Sequence, residues 1–271
     1  MNMPTVEETL IDHLKKMPPL NAALQNTLML LNSQSSDYKK ISNAILQDPV
    51  LTGRVLQIAN SSFYGSQRRV TDLSIACSML GLETLRGLVY TLILLTKFRN
   101  GPDNSAIDYN NLWKYCLRVA CLVKTLAKEQ KLDSSIAFTT GLFHCMDLII
   151  QDYFYKETLL QRIASQNHEG TTSTALISTI IDTEYWNLIA VLLEFWKFPT
   201  TIVEVFKINN SLQAQQYHER IIECTSFIKK ITNSEGASKP TQSDNVVEMK
   251  LITLIEASDL LYVELEALLF Q

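Results

Sequence analysis

Glycine and proline are scarce in this sequence. The 271 residues include only 8 glycines and 7 prolines, whereas β-rich domains with many tight turns usually need more of both. Hydrophobic residues make up 46% of the chain and charged residues 19%, so a substantial core can be buried and wholesale disorder is excluded. The composition favours a helical globular protein, long enough for one large domain or two small ones.

An excess of positive charge is also lacking. Lysine and arginine total 24, aspartate and glutamate total 28, and the formal net charge is −4. Nucleic-acid-binding proteins are more often basic, and the basic pairs of this chain are scattered, which is typical of solvated surface. These pairs are Lys39-Lys40, Arg68-Arg69 and Lys229-Lys230. We therefore predict no nucleic-acid partner.

Paired cysteine motifs and long apolar runs are absent. The cysteines are odd in number and form no C-x-x-C motif, so neither a disulfide framework nor a zinc knuckle is indicated, and reduced, buried thiols are the simplest interpretation. The longest apolar run, residues 87–96, has about half of the ~20 residues that a membrane helix needs. The first ten residues resemble no signal peptide. We expect a soluble cytoplasmic protein without membrane contact. The cysteines are Cys77, Cys116, Cys121, Cys145 and Cys224.

Apolar residues recur at helical spacing along most of the chain. Asp48-Pro49 indicates a helix start, because Asp48 can cap free N–H groups and proline suits the first helical position. Gly81 is a natural left-handed residue at the end of a short helix that begins near Leu73. Residues 98–106 form a clear break. We predict an all-α protein with an N-terminal lobe and a larger C-terminal lobe.

Common catalytic signatures are missing: the chain has no G-x-S-x-G, P-loop, G-x-G-x-x-G or H-E-x-x-H motif. His144 lies in an apolar segment and is interpreted as a hydrogen-bonded core residue. His144 and Cys145 alone do not make a tetrahedral metal site. Asp147 and Asp152 could supply oxygen ligands, but surface carboxylates at helical spacing are the more common case. The other histidines are too widely spread to form a local ligand cluster; they are His13, His168 and His218.

Four aromatic residues allow two interpretations. They could stack on a planar ligand, but aromatic residues at helical spacing are more often part of the core, and we prefer that interpretation. The four are Tyr64, Trp113, Trp186 and Trp196.

Several separate segments resemble, in the same order, the HDOD family of bacterial regulatory relatives of the HD metal-dependent phosphohydrolases. The resemblance covers about residues 5–210. It implies an all-helical fold with a degenerate HD core and a role in signalling. On this basis we expect an N-terminal helical lobe in 1–100, a degenerate HD-type lobe in 101–212 and a C-terminal helical extension in 213–271. The segments are Asp48-Pro49, Ala59-Asn60-Ser61, Ile75-Ala76, Leu80-Gly81, the helix of Arg86, and residues 112–120, 141–145 and 192–210.

The resemblance also implies where an active HD enzyme would hold its metal, and most of those ligands are replaced. The early histidine position is Tyr115, the His-Asp pair is His144-Cys145, the region of a further histidine has Glu184-Tyr185, and a later His-His pair is Asn209-Asn210. A hydrolytic metal needs three or more oxygen and nitrogen ligands to activate water. With only His144 retained, we predict no catalytic residue, no cofactor and no metal at this position.

Three functions remain open. The leading hypothesis is a non-catalytic bacterial signal-transduction module that binds a signalling protein partner. In the second, the former active-site cleft holds a small ligand such as a nucleotide. The alternative is a divergent HD-type metal-dependent phosphohydrolase acting on a nucleotide or phosphodiester. The residues expected at the cleft are Tyr115, His144, Cys145, Asn209 and Asn210.

Overall fold

Every regular element is a helix in the part of the chain that the computed structural model describes, which confirms the predicted all-α class. Described are residues 6–16, 22–33, 37–60, 69–98, 101–165, 183–207 and 211–233, together with Tyr262 and Glu266.

The helices are numbered in chain order. They are α1 (Val6–Lys16), α2 (Ala22–Asn32), α3 (Tyr38–Ile45), α4 (Pro49–Ala59), α5 (Leu73–Phe98), α6 (Tyr109–Glu129), α7 (Ser134–Phe143), α8 (Met146–Phe154), α9 (Lys156–Ser165), α10 (Trp186–Phe195), α11 (Thr200–Val203) and α12 (Leu212–Asn233). Short 3-10 turns, Thr183–Tyr185 and Glu204–Phe206, precede α10 and follow α11.

Packing divides the chain into two compact units. The smaller unit contains residues 18–97 and 260–271, and the larger unit contains residues 1–17 and 98–259. Helix α1 therefore lies outside the unit that holds most of the predicted 1–100 lobe. Its apolar stripe is buried in the larger unit, where His13 stacks on Phe154 with the ring centroids 5.1 Å apart. The sequence predicts the apolar face of α1 but does not predict that this face packs in the larger unit.

Helix α12, the first helix of the predicted C-terminal extension, groups with the larger unit as well. The hydroxyl oxygen of Tyr217 accepts a hydrogen bond from the Asp133 backbone N–H at 3.1 Å. This bond ties α12 to the start of α7. The rest of the predicted extension, residues 234–271, lies outside the described residues, apart from Tyr262 and Glu266.

Polar side chains at helix ends hold the smaller unit together. Asp48 caps α4 by accepting hydrogen bonds from the N–H groups of Val50 at 2.9 Å and Leu51 at 3.0 Å. Asn60, just after α4, pairs with both the N–H and the carbonyl of Val70, at 2.7 and 2.8 Å. The cap predicted from Asp48-Pro49 is confirmed. Asn60 of the Ala-Asn-Ser segment therefore has a structural role, because its side chain links the end of α4 to the backbone just before α5.

Replacing Asp48 with alanine is expected to lower the free energy of unfolding by about 0.5–2 kcal/mol, because the N–H groups of Val50 and Leu51 lose their acceptor. Denaturant unfolding followed by circular dichroism measures this loss. Asp48→Asn is the matched control, since its amide oxygen can accept the same bonds. An alanine variant as stable as the wild type would contradict the capping role.

Helix α5 bends at Gly81, as the sequence predicted. Gly81 has a φ of 77°, a left-handed value that favours glycine. Among the described residues, no single helix is long and apolar enough to cross a membrane. The two segments of α5, Leu73–Leu82 and Thr84–Phe98, reach that length and apolar character only when they are taken together, and they are bent by 99°.

Helix α5 is fixed to the end of α2 by two side chains. The Arg86 guanidinium donates a hydrogen bond from Nε to the Leu31 carbonyl at 2.8 Å, and the Tyr90 hydroxyl donates to the side-chain oxygen of Asn32 at 2.9 Å. The arginine that contributes to the family resemblance thus satisfies a carbonyl at the end of a helix, which would otherwise lack an intrahelical partner.

Candidate functional site

Helices α6 and α7 form the frame of the site in the larger unit. Asp108 caps α6 and Asp133 caps α7, each accepting backbone N–H bonds from the first turn. The two helices touch at Gly141, where an added Cβ would lie 2.8 Å from the Cα of Ala120. This close approach places the end of α7 directly against the middle of α6.

Of the five residues predicted for the cleft, three lie in the described part of the chain and two do not. Tyr115 lies on α6, and His144 and Cys145 form the turn between α7 and α8. The structure brings these three together: the rings of Tyr115 and His144 have centroids 5.6 Å apart, and a His144 nitrogen lies 3.0 Å from the Cys145 sulfur. The predicted pair Asn209-Asn210 lies outside the described residues.

His144 is a fully buried, neutral imidazole. Its Nδ1 lies 2.6 Å from the Gly141 carbonyl oxygen, which can only accept, so Nδ1 carries the proton and donates. Nε2 is then bare and accepts from the Cys145 thiol at 3.0 Å. Burial lowers the pKa of His144 to about 4, and the bond to Gly141 opposes this shift only in part. His144 is thus a hydrogen-bonded core residue, as the sequence predicted, and its partner is a backbone carbonyl.

Cys116 is the residue that sequence reasoning missed. It follows Tyr115 on α6, and its sulfur, the Cys145 sulfur and a His144 ring nitrogen all lie within 4.8 Å of one another. Burial raises the pKa of the Cys145 thiol well above its usual value, and a hydrogen bond with Cys116 raises it further. The sequence offered one indication that Cys116 belongs to the site: it is adjacent to Tyr115, the residue at the early histidine position.

Tyr115 borders the same cluster. Burial raises the pKa of its phenol well above the usual value, and the thiols of Cys145, Cys116 and Cys224 add to the shift. Among the described residues, its buried hydroxyl has no hydrogen-bond partner. A buried polar group without a partner is costly, so this hydroxyl is available to a ligand of the cluster.

Asp147 and Asp152 are buried, so our preference for surface carboxylates was wrong. Asp147 pairs with Arg162 at 3.3 Å, and the Arg162 guanidinium lies over the ring of Tyr185, 4.2 Å from its centroid. The sequence pattern did not reveal these partners because Arg162 lies on α9 and Tyr185 beyond it.

Asp152 holds the segment before α6. It accepts hydrogen bonds from the Ser105 hydroxyl at 2.6 Å and the Tyr109 hydroxyl at 3.1 Å. Burial and the neighbouring carboxylate raise the pKa of Tyr109, so that hydroxyl stays protonated and donates. The Asp152 carboxylate therefore has a structural role in holding Ser105 and Tyr109.

Two of the three described aromatic candidates, Trp186 and Trp196, pack against other rings, and Trp113 bonds to a backbone carbonyl. Trp113 and Trp186 are buried, and Trp196 is half-buried. The Trp113 indole N–H donates to the Phe98 carbonyl, Trp186 packs at 4.6 Å from the His218 ring, and Trp196 lies 5.8 Å from the Phe98 ring. The core interpretation is therefore favoured for these residues. Tyr64 lies outside the described residues.

The donor set does not suit the hard divalent ion of an HD phosphohydrolase. Magnesium and manganese prefer carboxylate, carbonyl and water oxygens. The described cluster instead offers two sulfurs, one imidazole nitrogen and a protonated phenol, and no described carboxylate joins it. We derive no hydrolytic step through such an ion.

Residues 17–212 match the HDOD domain family. The chain belongs to the HDOD domain family. This match covers most of the chain, includes α2 to α11 and the cluster, and confirms the resemblance seen in the sequence. The HDOD family is related to the HD phosphohydrolases, so the chain has a diverged HD-type helical core.

Solved structures share the fold at low sequence identity. A protein from Shewanella amazonensis SB2B, provisionally named a phosphohydrolase, has a TM-score of 0.68 and 22% identity over 96% of this chain and 98% of its own. An HDOD domain protein of unknown function from Geobacter sulfurreducens has a TM-score of 0.66 and 19% identity, with 98% of each chain covered. At these identities the similarity establishes the fold alone.

Two longer proteins also match. A protein from Marinobacter aquaeolei VT8, provisionally named a signal transduction protein, has a TM-score of 0.67 and 18% identity over 100% of this chain and 62% of its own. An uncharacterised protein of Treponema pallidum (strain Nichols) is 22% identical over 222 residues, 81% of this chain. The HDOD chain spans 42% of that relative's length.

Proposed function

We propose that this HDOD chain is a non-catalytic regulatory module that acts by binding a signalling protein or a small ligand. The observation that carries the proposal is the state of His144. Its two ring nitrogens are engaged by the Gly141 carbonyl and the Cys145 thiol, and the residue is fully buried.

Hydrolysis of a phosphate ester at this position would need a water activated by a metal or a general base. The neighbours of His144 cannot act as a general base at neutral pH, because burial keeps the phenol of Tyr115 and the thiol of Cys145 protonated. Asp147, the next carboxylate along the chain, is paired with Arg162. The described residues therefore favour a role without turnover.

Binding is the remaining use of such a domain, and family membership supports it. HDOD domains are relatives of HD enzymes, and one structural neighbour carries a provisional signal-transduction name. We propose a signalling protein as the partner, with a small nucleotide as the second possibility. No nucleic-acid partner is proposed, because the chain has a net charge of −4.

The purified full chain is expected to show no turnover of chromogenic phosphomonoesters, phosphodiesters or cyclic dinucleotides above a buffer blank, with magnesium, manganese, iron or zinc added. The reason is that the described residues around His144 offer neither a hard-metal ligand set nor a free base. The release of phosphate or chromogen measures this directly. Metal-dependent turnover that is lost in His144→Gln would overturn the proposal and favour the phosphohydrolase alternative.

A further inference from the structure

Three soft donors converge at one buried point in the larger unit. They are the sulfurs of Cys116 and Cys145 and a ring nitrogen of His144, each no more than 4.8 Å from the others. All three side chains are buried. From the sequence we predicted no metal at this position, but that prediction overlooked Cys116. With Cys116 added, we propose that Cys116, His144 and Cys145 bind a zinc ion that fastens α6 to the turn between α7 and α8.

The residue types match zinc better than any other common divalent ion. Zinc accepts thiolate sulfur at about 2.3 Å and imidazole nitrogen at about 2.0–2.1 Å in tetrahedral sites. Donors around one such ion lie within about 4 Å of each other, so the cluster needs only small side-chain shifts. Hard ions such as magnesium select oxygen ligands instead.

His144 is already held as a metal-bound histidine is. Such a histidine usually donates the N–H of its second ring nitrogen to a carbonyl or carboxylate, which fixes the ring orientation and the tautomer. Nδ1 of His144 donates in this way to the Gly141 carbonyl at 2.6 Å, and Nε2 faces the Cys145 sulfur. Zinc would take the place of the Cys145 thiol proton, which now makes the hydrogen bond to Nε2.

Tyr115 supplies a second, independent observation. Its hydroxyl is buried and has no hydrogen-bond partner among the described residues, and its ring lies 5.6 Å from the His144 ring. A three-ligand zinc site leaves a fourth position open. Tyr115, whose ring centroid lies 5.6 Å from that of His144, is the neighbour whose unpartnered hydroxyl favours a zinc-bound water there.

Charge balance also favours the site. Binding releases one proton from each thiol to solvent, and two thiolates with one Zn²⁺ form a neutral unit in a buried setting. The ion would be taken up as the chain folds, because its ligands are closed off from water in the folded state. A zinc ion held in this way is consistent with a module that does not turn over phosphate esters.

The test uses the full chain, purified without a metal-affinity tag. Elemental analysis is expected to find one zinc per chain, and cobalt in its place is expected to give a thiolate-to-cobalt charge-transfer band. Cys116→Ser and His144→Gln should each weaken metal binding at least about tenfold. Cys121→Ser is the control, because Cys121 is a buried cysteine on the same helix outside the cluster.

Removal of zinc by a chelator provides a second measurement that does not depend on the variants folding. Wild-type protein refolded with the chelator should have a lower melting temperature than protein refolded with zinc. Folded wild-type protein with no zinc and no cobalt band would overturn the proposal, as would equal metal content in the Cys116→Ser and Cys121→Ser variants. Bound zinc without phosphatase turnover would support this site and leave the non-catalytic proposal intact. Phosphatase turnover would count against the non-catalytic proposal but not against the zinc site.

Discussion

Replacing Gly141 with alanine is expected to lower the free energy of unfolding by about 1–3 kcal/mol, the range for overpacking a tight contact. The new Cβ would lie 2.8 Å from the Cα and 3.3 Å from the backbone nitrogen of Ala120. These are backbone atoms that cannot rotate away, so α7 must move off α6. Alanine's better helix propensity, about 0.8–1 kcal/mol, offsets only part of the cost. Denaturant unfolding measures the difference.

The matched control is Gly53→Ala on α4. Gly53 is exposed, and an added Cβ there would meet nothing within 4 Å. This variant should gain about 0.5–1 kcal/mol, because alanine restricts the unfolded chain and favours helix. If both alanine variants gained stability to the same extent, the close approach of α6 and α7 would not be a constraint in the folded protein.

The Gly141 variant also tests how the cluster is positioned. Gly141 supplies the carbonyl that holds His144, and the helix contact sets the distance between His144 and Cys116. A shift of α7 should therefore reduce zinc affinity together with stability. Gly53→Ala should leave the metal content unchanged, since it belongs to the smaller unit.

Local signals in the sequence predicted the features that depend on neighbouring residues. The Asp48 cap and the left-handed Gly81 were both predicted, because a cap or a helix end is decided within a few residues of chain. The segment from Ser134 to Tyr155 contains a break at His144-Cys145 that no local signal marked. The apolar composition of that segment is the same on either side of the turn.

Features that depend on distant partners were not predictable in the same way. Asp147 and Asp152 looked like surface residues because their partners, Arg162 and Ser105, are 15 and 47 residues away along the chain. Cys116 was overlooked for the same reason, since it meets His144 only after α6 and α7 pack together. Single-sequence patterns show which faces are apolar but not which faces meet.

Replacing Arg162 with alanine is expected to have the largest effect, a loss of about 3–5 kcal/mol in the free energy of unfolding, as for other buried pairs in which one charge is removed. Asp147 is fully buried and Arg162 is only 12% exposed, so water cannot replace the lost guanidinium well. The variant also loses the stacking of the guanidinium on Tyr185 at 4.2 Å. Thermal and denaturant unfolding measure the loss.

Two further variants separate the charge from the stacking. Arg162→Lys keeps a positive charge near Asp147 but loses the planar group over Tyr185, so it should fall between the wild type and Arg162→Ala. The double variant Arg162→Met with Asp147→Asn removes both charges together and should recover much of the stability, because no buried charge is left without its counterion. If Arg162→Ala were as stable as the wild type, the ion pair would contribute nothing, and the burial of Asp147 would need another explanation.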